Sequence, residues 1–249
     1  ELIAAVAEMV TKHGNNLMII TPAKEELNPF ASLDSLVRRH IVDGLIIGAE
    51  QLDTKTVMSI MLAEIPFVLI GRNEVIQHYC VDVNNKNGGF LITEQLIQHS
   101  YKHIACIAGP KDYLYTQERI AGFTEALEKN NMKPEHIIYT SYYREDAQSN
   151  AAKLIEEHPD IDALFITAGG EFVLNILDTL RFSGYSPNKM GIGVFDDNRI
   201  FDFLDFPIIT AKQPLKDMGQ KATSILFDII EGKLPSEKIQ FFPVDIILR

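Results

Sequence analysis

Two adjacent carboxylates, Asp196 and Asp197, directly follow the apolar run MGIGVF. A strand of an open α/β sheet would end there, and open sheets bind ligands beyond the carboxyl ends of their strands. A carboxylate at that place can accept hydrogen bonds from two hydroxyl groups. Arg119, early in a helical stretch, carries a fixed fork of donors suited to adjacent hydroxyls or to an anionic group. Both residues also have a plain structural reading. Arg119 fits an exposed arginine in a helix's first turn, and a turn-forming aspartate is the natural reading of Asp197.

Catalytic chemistry finds no support in the remaining spacing. The chain carries no Gly-rich dinucleotide turn, no phosphate-binding G-x-x-x-x-G-K and no G-x-S-x-G elbow. His99 and His103 are four residues apart, but one ends a helix and the other opens a strand, so they do not make a metal pair. Glu145/Asp146 and Asp196/Asp197 are neighbours in sequence and need not face each other. The expectation is a protein that binds and does not catalyse, with no metal and no cofactor.

The elements that must position these residues follow from composition and periodicity. With 249 residues and 46% hydrophobic content, the chain can build one large or two ordinary α/β domains. No apolar run approaches the ~20 residues of a membrane span. The opening ELIAAVAEMVTKHG lacks the basic flank and small-residue cleavage site of a signal peptide, so a cytoplasmic protein with no membrane partner is expected. The formal charge of −11, from 34 acidic against 23 basic side chains, repels a phosphate backbone. Arg38 and Arg39 are the one adjacent basic pair, so this stretch is not the part that grips DNA. Cys80 and Cys106 lie inside apolar runs and read as buried reduced thiols, which suits a reducing compartment.

Leu2, Val6, Met9 and Val10 share one face of a helix that stops at Gly14. Apolar runs at Leu17 to Ile20, Gly44 to Gly48 and Pro66 to Gly71 then alternate with helical stretches at Leu33 to His40 and Thr54 to Ala63. A second series has strands at His103 to Gly109, His136 to Ser141, Ala163 to Thr167 and Met190 to Asp196. Its helices are Gly88 to His99, Thr116 to Asn130, Arg144 to Glu157 and Glu171 to Phe182. Short continuous apolar runs between helices predict parallel sheets covered on both faces. The irregular stretch Gly71 to Asn87 is the natural first crossing between two units. Ile208 to Ala211, the helix Leu215 to Glu231 and the strand KIQFFPVDIILR then return the chain. The expected division is 1–83 with 213–236, and 84–212 with 237–249. Because the chain opens inside a helix with no capping residue before it, the first strand of the first unit is expected upstream.

Seven motifs taken together resemble the lactose/galactose repressor family of bacterial regulators: DGLIIG, IPFVLIGR, NNKNGG, HIACIAGP, ERIAGF, GVFDDN and IITAKQPLKDMGQKA. The spacing FDDN, DFP, QP is similar to the keto-deoxygluconate-repressor and fructose-repressor branches, whose effectors are acidic. The resemblance implies two flavodoxin-like parallel-sheet lobes joined by several crossings, the type I periplasmic-binding-protein-like fold. It also implies a homodimer that binds a small-molecule effector, and operator DNA reached through an N-terminal helix-turn-helix headpiece absent from this sequence. Leu2 to Val10, Leu33 to His40 and Thr54 to Ala63 are candidate dimer contacts. A periplasmic sugar receptor shares the fold and is the alternative.

The resemblance also assigns roles. Arg119 and Asp196 match the family's arginine and aspartate that hold the effector, Tyr143 matches an aromatic residue that stacks on it, and Tyr113 and Tyr115 are candidates from the rim. Two departures stand out. Gly169 and Gly170 replace the usual Asn-Asp, and Gly71 followed by Arg72 replaces the usual Asp. Bare backbone N–H groups at Gly169 and Gly170, with Arg119 and Arg72, would favour an acidic effector, a sugar acid or sugar phosphate. The other reading is that the glycines relieve crowding.

Overall fold

Apolar runs too short for helices become strands buried on both faces, and the amphipathic stretches between them become the covering helices. The computed structural model describes residues 1–20, 39, 41–49, 52, 54–73, 76–182, 184 and 189–249. In chain order the elements are α1 (Leu2–Lys12), β1 (Leu45–Gly48), α2 (Thr54–Leu62), β2 (Phe67–Ile70), β3 (Cys80–Val83), α3 (Asn85–Gln98), β4 (Ile104–Ala108), α4 (Leu114–Lys129), β5 (Ile137–Tyr139) and α5 (Arg144–Glu157). They continue with β6 (Ala163–Ile166), α6 (Glu171–Phe182), β7 (Gly191–Phe195), a 3-10 turn (Arg199–Phe203), β8 (Ile209–Lys212), α7 (Leu215–Ile230), β9 (Ile239–Phe242) and β10 (Asp245–Leu248).

The chain forms two units, Glu1–Val83 with Pro214–Phe242, and Asn84–Gln213 with Pro243–Arg249. In the first, β1, β2, β3 and β9 lie side by side in that order, all parallel. Phe67, Leu69, Val57 and Ile60 belong to its core, and α1 packs on α7. In the second, the order is β10-β8-β7-β6-β4-β5. Every neighbouring pair is parallel except β10 with β8. All five residues of β4, all four of β6 and all five of β7 are buried, as strands covered by helices on both faces require. The chain leaves β4 toward β5 on one side and β6 on the other, which opens a crevice beyond the carboxyl ends of β4 and β6.

One contact sets the layer above that sheet. A Cβ on Gly122 of α4 would meet the Lys86 carbonyl oxygen and lie 2.6 Å from the Phe90 nitrogen of α3. A Cβ on Gly89 would meet the Arg119 carbonyl, 3.0 Å from its carbon. Backbone therefore lies against backbone where α3 and α4 cross.

Three expectations change. The run Leu17 to Ile20 forms no strand, and Leu17, Met18 and Ile19 are exposed; no ladder partner lies beside it among the described residues. The closing strand splits in two. Pro243 has no N–H to offer a ladder, so Ile239–Phe242 pairs with β3 in the first unit and Asp245–Leu248 runs antiparallel to β8 in the second. The last division therefore falls after residue 242 and not after 236. The stretch Gly71 to Asn87 is not wholly irregular, since Cys80–Val83 inside it is β3. The Leu33 to His40 helix lies outside the described residues apart from residue 39.

Cys80 and Cys106 are free and buried. Burial, with Asp82 adding to it, pushes the Cys80 thiol up to about 11, and burial alone pushes Cys106 higher still. Neither supplies a thiolate at neutral pH.

His78 stacks on Phe67 with ring centroids 3.7 Å apart, and its Nδ1 has no hydrogen-bond partner among the described residues. Burial lowers its pKa below the ordinary 6.5. The unfolded chain then binds a proton that the fold resists, so the stability His78 gives is present above its unfolded pKa and is lost as pH falls through the folded value. Urea midpoints measured from pH 7 to pH 5 should fall more steeply for the wild type than for His78→Phe. Parallel slopes would contradict this.

Candidate functional site

The carboxyl ends of β4, β6 and β7 and the first turns of α4 and α6 share one end of the second unit. The ends of β4 and β6 are tied there by the Gly109 N–H, which donates to Thr167 Oγ1 at 3.1 Å. Arg119 is 6% exposed, so the exposed-arginine reading does not hold. Its Nε donates to Asn85 Oδ1 at 2.8 Å and its Nη1 to the Thr167 carbonyl at 2.6 Å. The guanidinium plane is covered by Phe195 at 3.5 Å and by Tyr115 at 4.9 Å. A buried cation is tolerated when its donors are engaged and aromatic faces replace water. The glycine crossing of α3 and α4 brings Arg119 within reach of Asn85.

Asp196 takes a left-handed backbone, φ +83, as Asp and Asn do more readily than other non-glycine residues. Its N–H donates to the Ala211 carbonyl at 3.1 Å and its Oδ1 accepts from Gln213 Nε2. Asp197 does structural work. Arg249 grips both its oxygens, at 2.6 and 2.7 Å, and Thr210 donates to it at 2.8 Å. The Arg249 fork holds the Asp197 carboxyl below its ordinary range. Arg249 also bonds Asp202, so the segment after β7 is pinned from the far end of the chain.

Gly169 is explained by this turn. A Cβ there would lie 2.8 Å from the Asp196 Cβ. Gly170 has φ +66, and a Cβ there would meet nothing within 4 Å among the described residues. Close approach at Gly169 and a left-handed backbone at Gly170 are thus what the glycines provide.

Three tyrosine rings gather beside Arg119. Tyr113 stacks on Tyr115 with centroids 5.4 Å apart and planes within 26°, and on Tyr142 at 6.4 Å and 18°. The Tyr115 and Tyr142 hydroxyls share a 2.7 Å hydrogen bond, and Tyr142 meets Phe172 edge-on at 5.2 Å. Gly109 makes room for this ring, since a Cβ there would lie 2.6 Å from the Tyr142 Cζ. Tyr143 is instead the N-cap residue of α5 and is 75% exposed. Of the Tyr142-Tyr143 pair the ring that joins the cluster is Tyr142.

Arg119, Asp196, Tyr113, Tyr115, Gly169 and Gly170 are thus linked through contacts within the second unit. Arg72 is not among them. It belongs to the first unit, where its Nε pairs with Asp82 at 2.9 Å and its guanidinium lies over Phe241 at 4.8 Å. Sequence reasoning missed Tyr142, Asn85, Thr167, Gln213 and Arg249. Asn85 and Gln213 lay inside the quoted motifs NNKNGG and AKQPLKDMG, while Arg249 carried no local signal. Among the described residues, no three His, Cys, Asp or Glu side chains could hold a metal ion, and no helix is long and apolar enough to cross a membrane.

The family of periplasmic binding proteins and the sugar binding domain of the LacI family matches residues 1–241. The chain belongs to this family. The lactose/galactose repressor resemblance carried by the seven motifs is thereby confirmed, as is the α/β fold with parallel-sheet lobes. Among LacI-family relatives, the HTH-type transcriptional regulator CelR of Thermobifida fusca is 29% identical over 77% of the chain, which spans 58% of that protein's length. The ribose operon repressor of Halalkalibacterium halodurans is 27% identical over 100% of the chain and 74% of its own length. The structure of a transcriptional regulator CelR–cellobiose complex superposes with a TM-score of 0.90, at 25% identity, covering 99% of this chain and 76% of that one.

Proposed function

We propose that the chain is the effector-binding and dimerisation core of a cytoplasmic bacterial transcription regulator, a repressor, that responds to a sugar or a sugar-derived acid or phosphate. It is not an enzyme. The observation that carries this reading is the joined set of Arg119, Asp196 and the tyrosine rings at the carboxyl ends of β4, β6 and β7. Its relatives CelR and the ribose operon repressor are transcriptional regulators by name, which favours this reading over a periplasmic receptor. The net charge of −11 argues that operator contact falls to a helix-turn-helix headpiece and not to this core.

The second copy of the chain would be met by apolar side chains that each unit leaves in water. Ile3 of α1 and Met58, Met61 and Leu62 of α2 are exposed in the first unit, and Phe182 and Phe203 are almost fully exposed in the second. An effector with different affinity for two arrangements of such a dimer shifts their balance, and operator affinity shifts with it.

Deleting the gene should raise transcription of a small set of carbohydrate-utilisation genes, read by RNA profiling. An unchanged profile on every carbon source would refute the proposal. At the site itself, Gly169→Ala should displace Asp196 and weaken effector binding by about tenfold, a loss of about 1.4 kcal/mol. Unaltered affinity in calorimetry would remove Asp196 from the site.

A further inference from the structure

We infer that Arg249 is a positioning residue that links effector binding to association with the second copy. One guanidinium holds both ends of the segment after β7, with the Asp196 turn at one end and exposed Phe203 at the other. The inference rests on the effector-binding and dimerisation readings above and adds the residue that joins them.

This segment needs a cation to keep its shape. Asp196, Asp197 and Asp202 place three carboxylates within seven residues, and like charges so close repel one another. Arg249 answers two of them. Its Nε and Nη2 donate to the two Asp197 oxygens at 2.6 and 2.7 Å, while its Nη1 donates to Asp202. A planar fork of donors serves two acids in a fixed geometry, as a point-like ammonium does not. The Asp197 side chain is 6% exposed and also accepts from the Thr210 hydroxyl at 2.8 Å. Arg249 is itself fixed to the sheet, because its N–H donates to the Ile208 carbonyl and its own carbonyl accepts from the Ile208 N–H, each at 2.9 Å. Asp196 hangs from the same stretch through its N–H bond to the Ala211 carbonyl. A left-handed backbone at a residue with a side chain is held only by such surroundings, and the Asp197 clamp is the next link along the chain.

At the other end, the 3-10 turn carries two phenylalanines with opposite environments. Phe201 is buried in the core of the second unit, and Phe203 is 87% exposed. Asn198 caps the turn by accepting from the Ile200 N–H at 3.0 Å. Ion pairs flank Phe203 in sequence, Asp202 with Arg249 before it and Asp205 with Arg181 after it. Arg181 precedes Phe182, the other nearly fully exposed ring of this unit. The apolar surface offered to a second copy is therefore set by the same guanidinium that holds the neighbour of Asp196. A shift of Asp196 on meeting an effector would pull Asp197, and Arg249 would pass the shift to Asp202 and Phe203. Coupling of this kind is reciprocal, so association with a second copy would equally change the affinity for effector.

The full chain should be compared with Arg249→Ala, Asp202→Asn and Phe203→Ala. In sedimentation equilibrium without added ligand, all three should associate at least about tenfold more weakly than the wild type. Carbon-detected NMR of the aspartate carboxyls separates the causes. Asp197, held low by Arg249, should titrate back toward the ordinary range in Arg249→Ala and stay low in the other two. Calorimetry with ribose, glucose, gluconate and glucose 6-phosphate then reads the link. Phe203→Ala, a surface change, should weaken the binding of whichever compound the wild type takes by about fivefold or more, the lower end for coupled sites. Should Arg249→Ala fail to fold, Asp202→Asn keeps the Asp197 clamp and frees only the Phe203 end. Wild-type association in Arg249→Ala and Asp202→Asn overturns the inference, as does unchanged affinity in Phe203→Ala. A wild type that stays monomeric overturns the dimer reading and the inference with it. Binding of none of the four compounds counts against the sugar-effector reading alone, and the association and titration results still decide whether Arg249 sets the Phe203 face.

Discussion

Gly122→Ala is expected to lower the stability of the second unit by about 3 kcal/mol or more, because the new methyl would overlap backbone atoms that have no rotamer to retreat into. The Cβ would sit on the Lys86 carbonyl oxygen, 2.6 Å from the Phe90 nitrogen, at the crossing of α3 and α4. The helices must separate, and the separation draws Arg119 away from Asn85, so stability and effector binding should fall together. Gly48→Ala is the control. That glycine is exposed, and a Cβ there meets nothing within 4 Å among the described residues. Its change should stay within about 0.5 kcal/mol, as for most surface substitutions. Urea unfolding followed by circular dichroism decides the matter, and equal midpoints for the two variants would show that the crossing is looser than described.

Arg119→Ala is expected to cost about 2–4 kcal/mol, through two charge-assisted hydrogen bonds and the guanidinium faces packed on Phe195 and Tyr115. Effector binding should be lost as well, because Tyr115 loses the surface on which it rests. Arg119→Lys separates shape from charge. A lysine keeps the cation but cannot reach Asn85 and the Thr167 carbonyl with one planar fork, so it should recover less than half of the lost stability and little of the binding. Full recovery by lysine would mean that charge alone matters at this position.

The sheets were legible in the sequence because strands buried on both faces write continuous apolar runs, as IACIA, ALFI and GIGVF do. The same rule misread Leu17 to Ile20, since an apolar run becomes a strand only where another strand lies beside it. Pro243 was visible, but its effect depends on pairing with β3 and β8, which are far away in sequence. At the site, Arg119 and Asp196 could be named from motifs, whereas their surroundings could not. The choice of Tyr142 over Tyr143 turns on how one bend before α5 points two neighbouring rings. Arg249 reaches Asp197 across 52 positions of chain, a distance at which no local pattern operates. Gly169 could be read as part of an anion cradle or as relief of crowding, and the 2.8 Å approach of a Cβ there to Asp196 supports the second reading.

Hydrogen–deuterium exchange of the full chain, with and without a sugar or sugar-derived acid or phosphate that calorimetry finds to bind, tests the central claim most directly. The amides of 109–119, 140–147, 167–172 and 195–199 should gain protection together, since these segments carry the tyrosine rings, Arg119, the glycine pair and Asp196. Protection confined to other segments, or none at saturation, would contradict the assignment of this end of the second unit as the effector site.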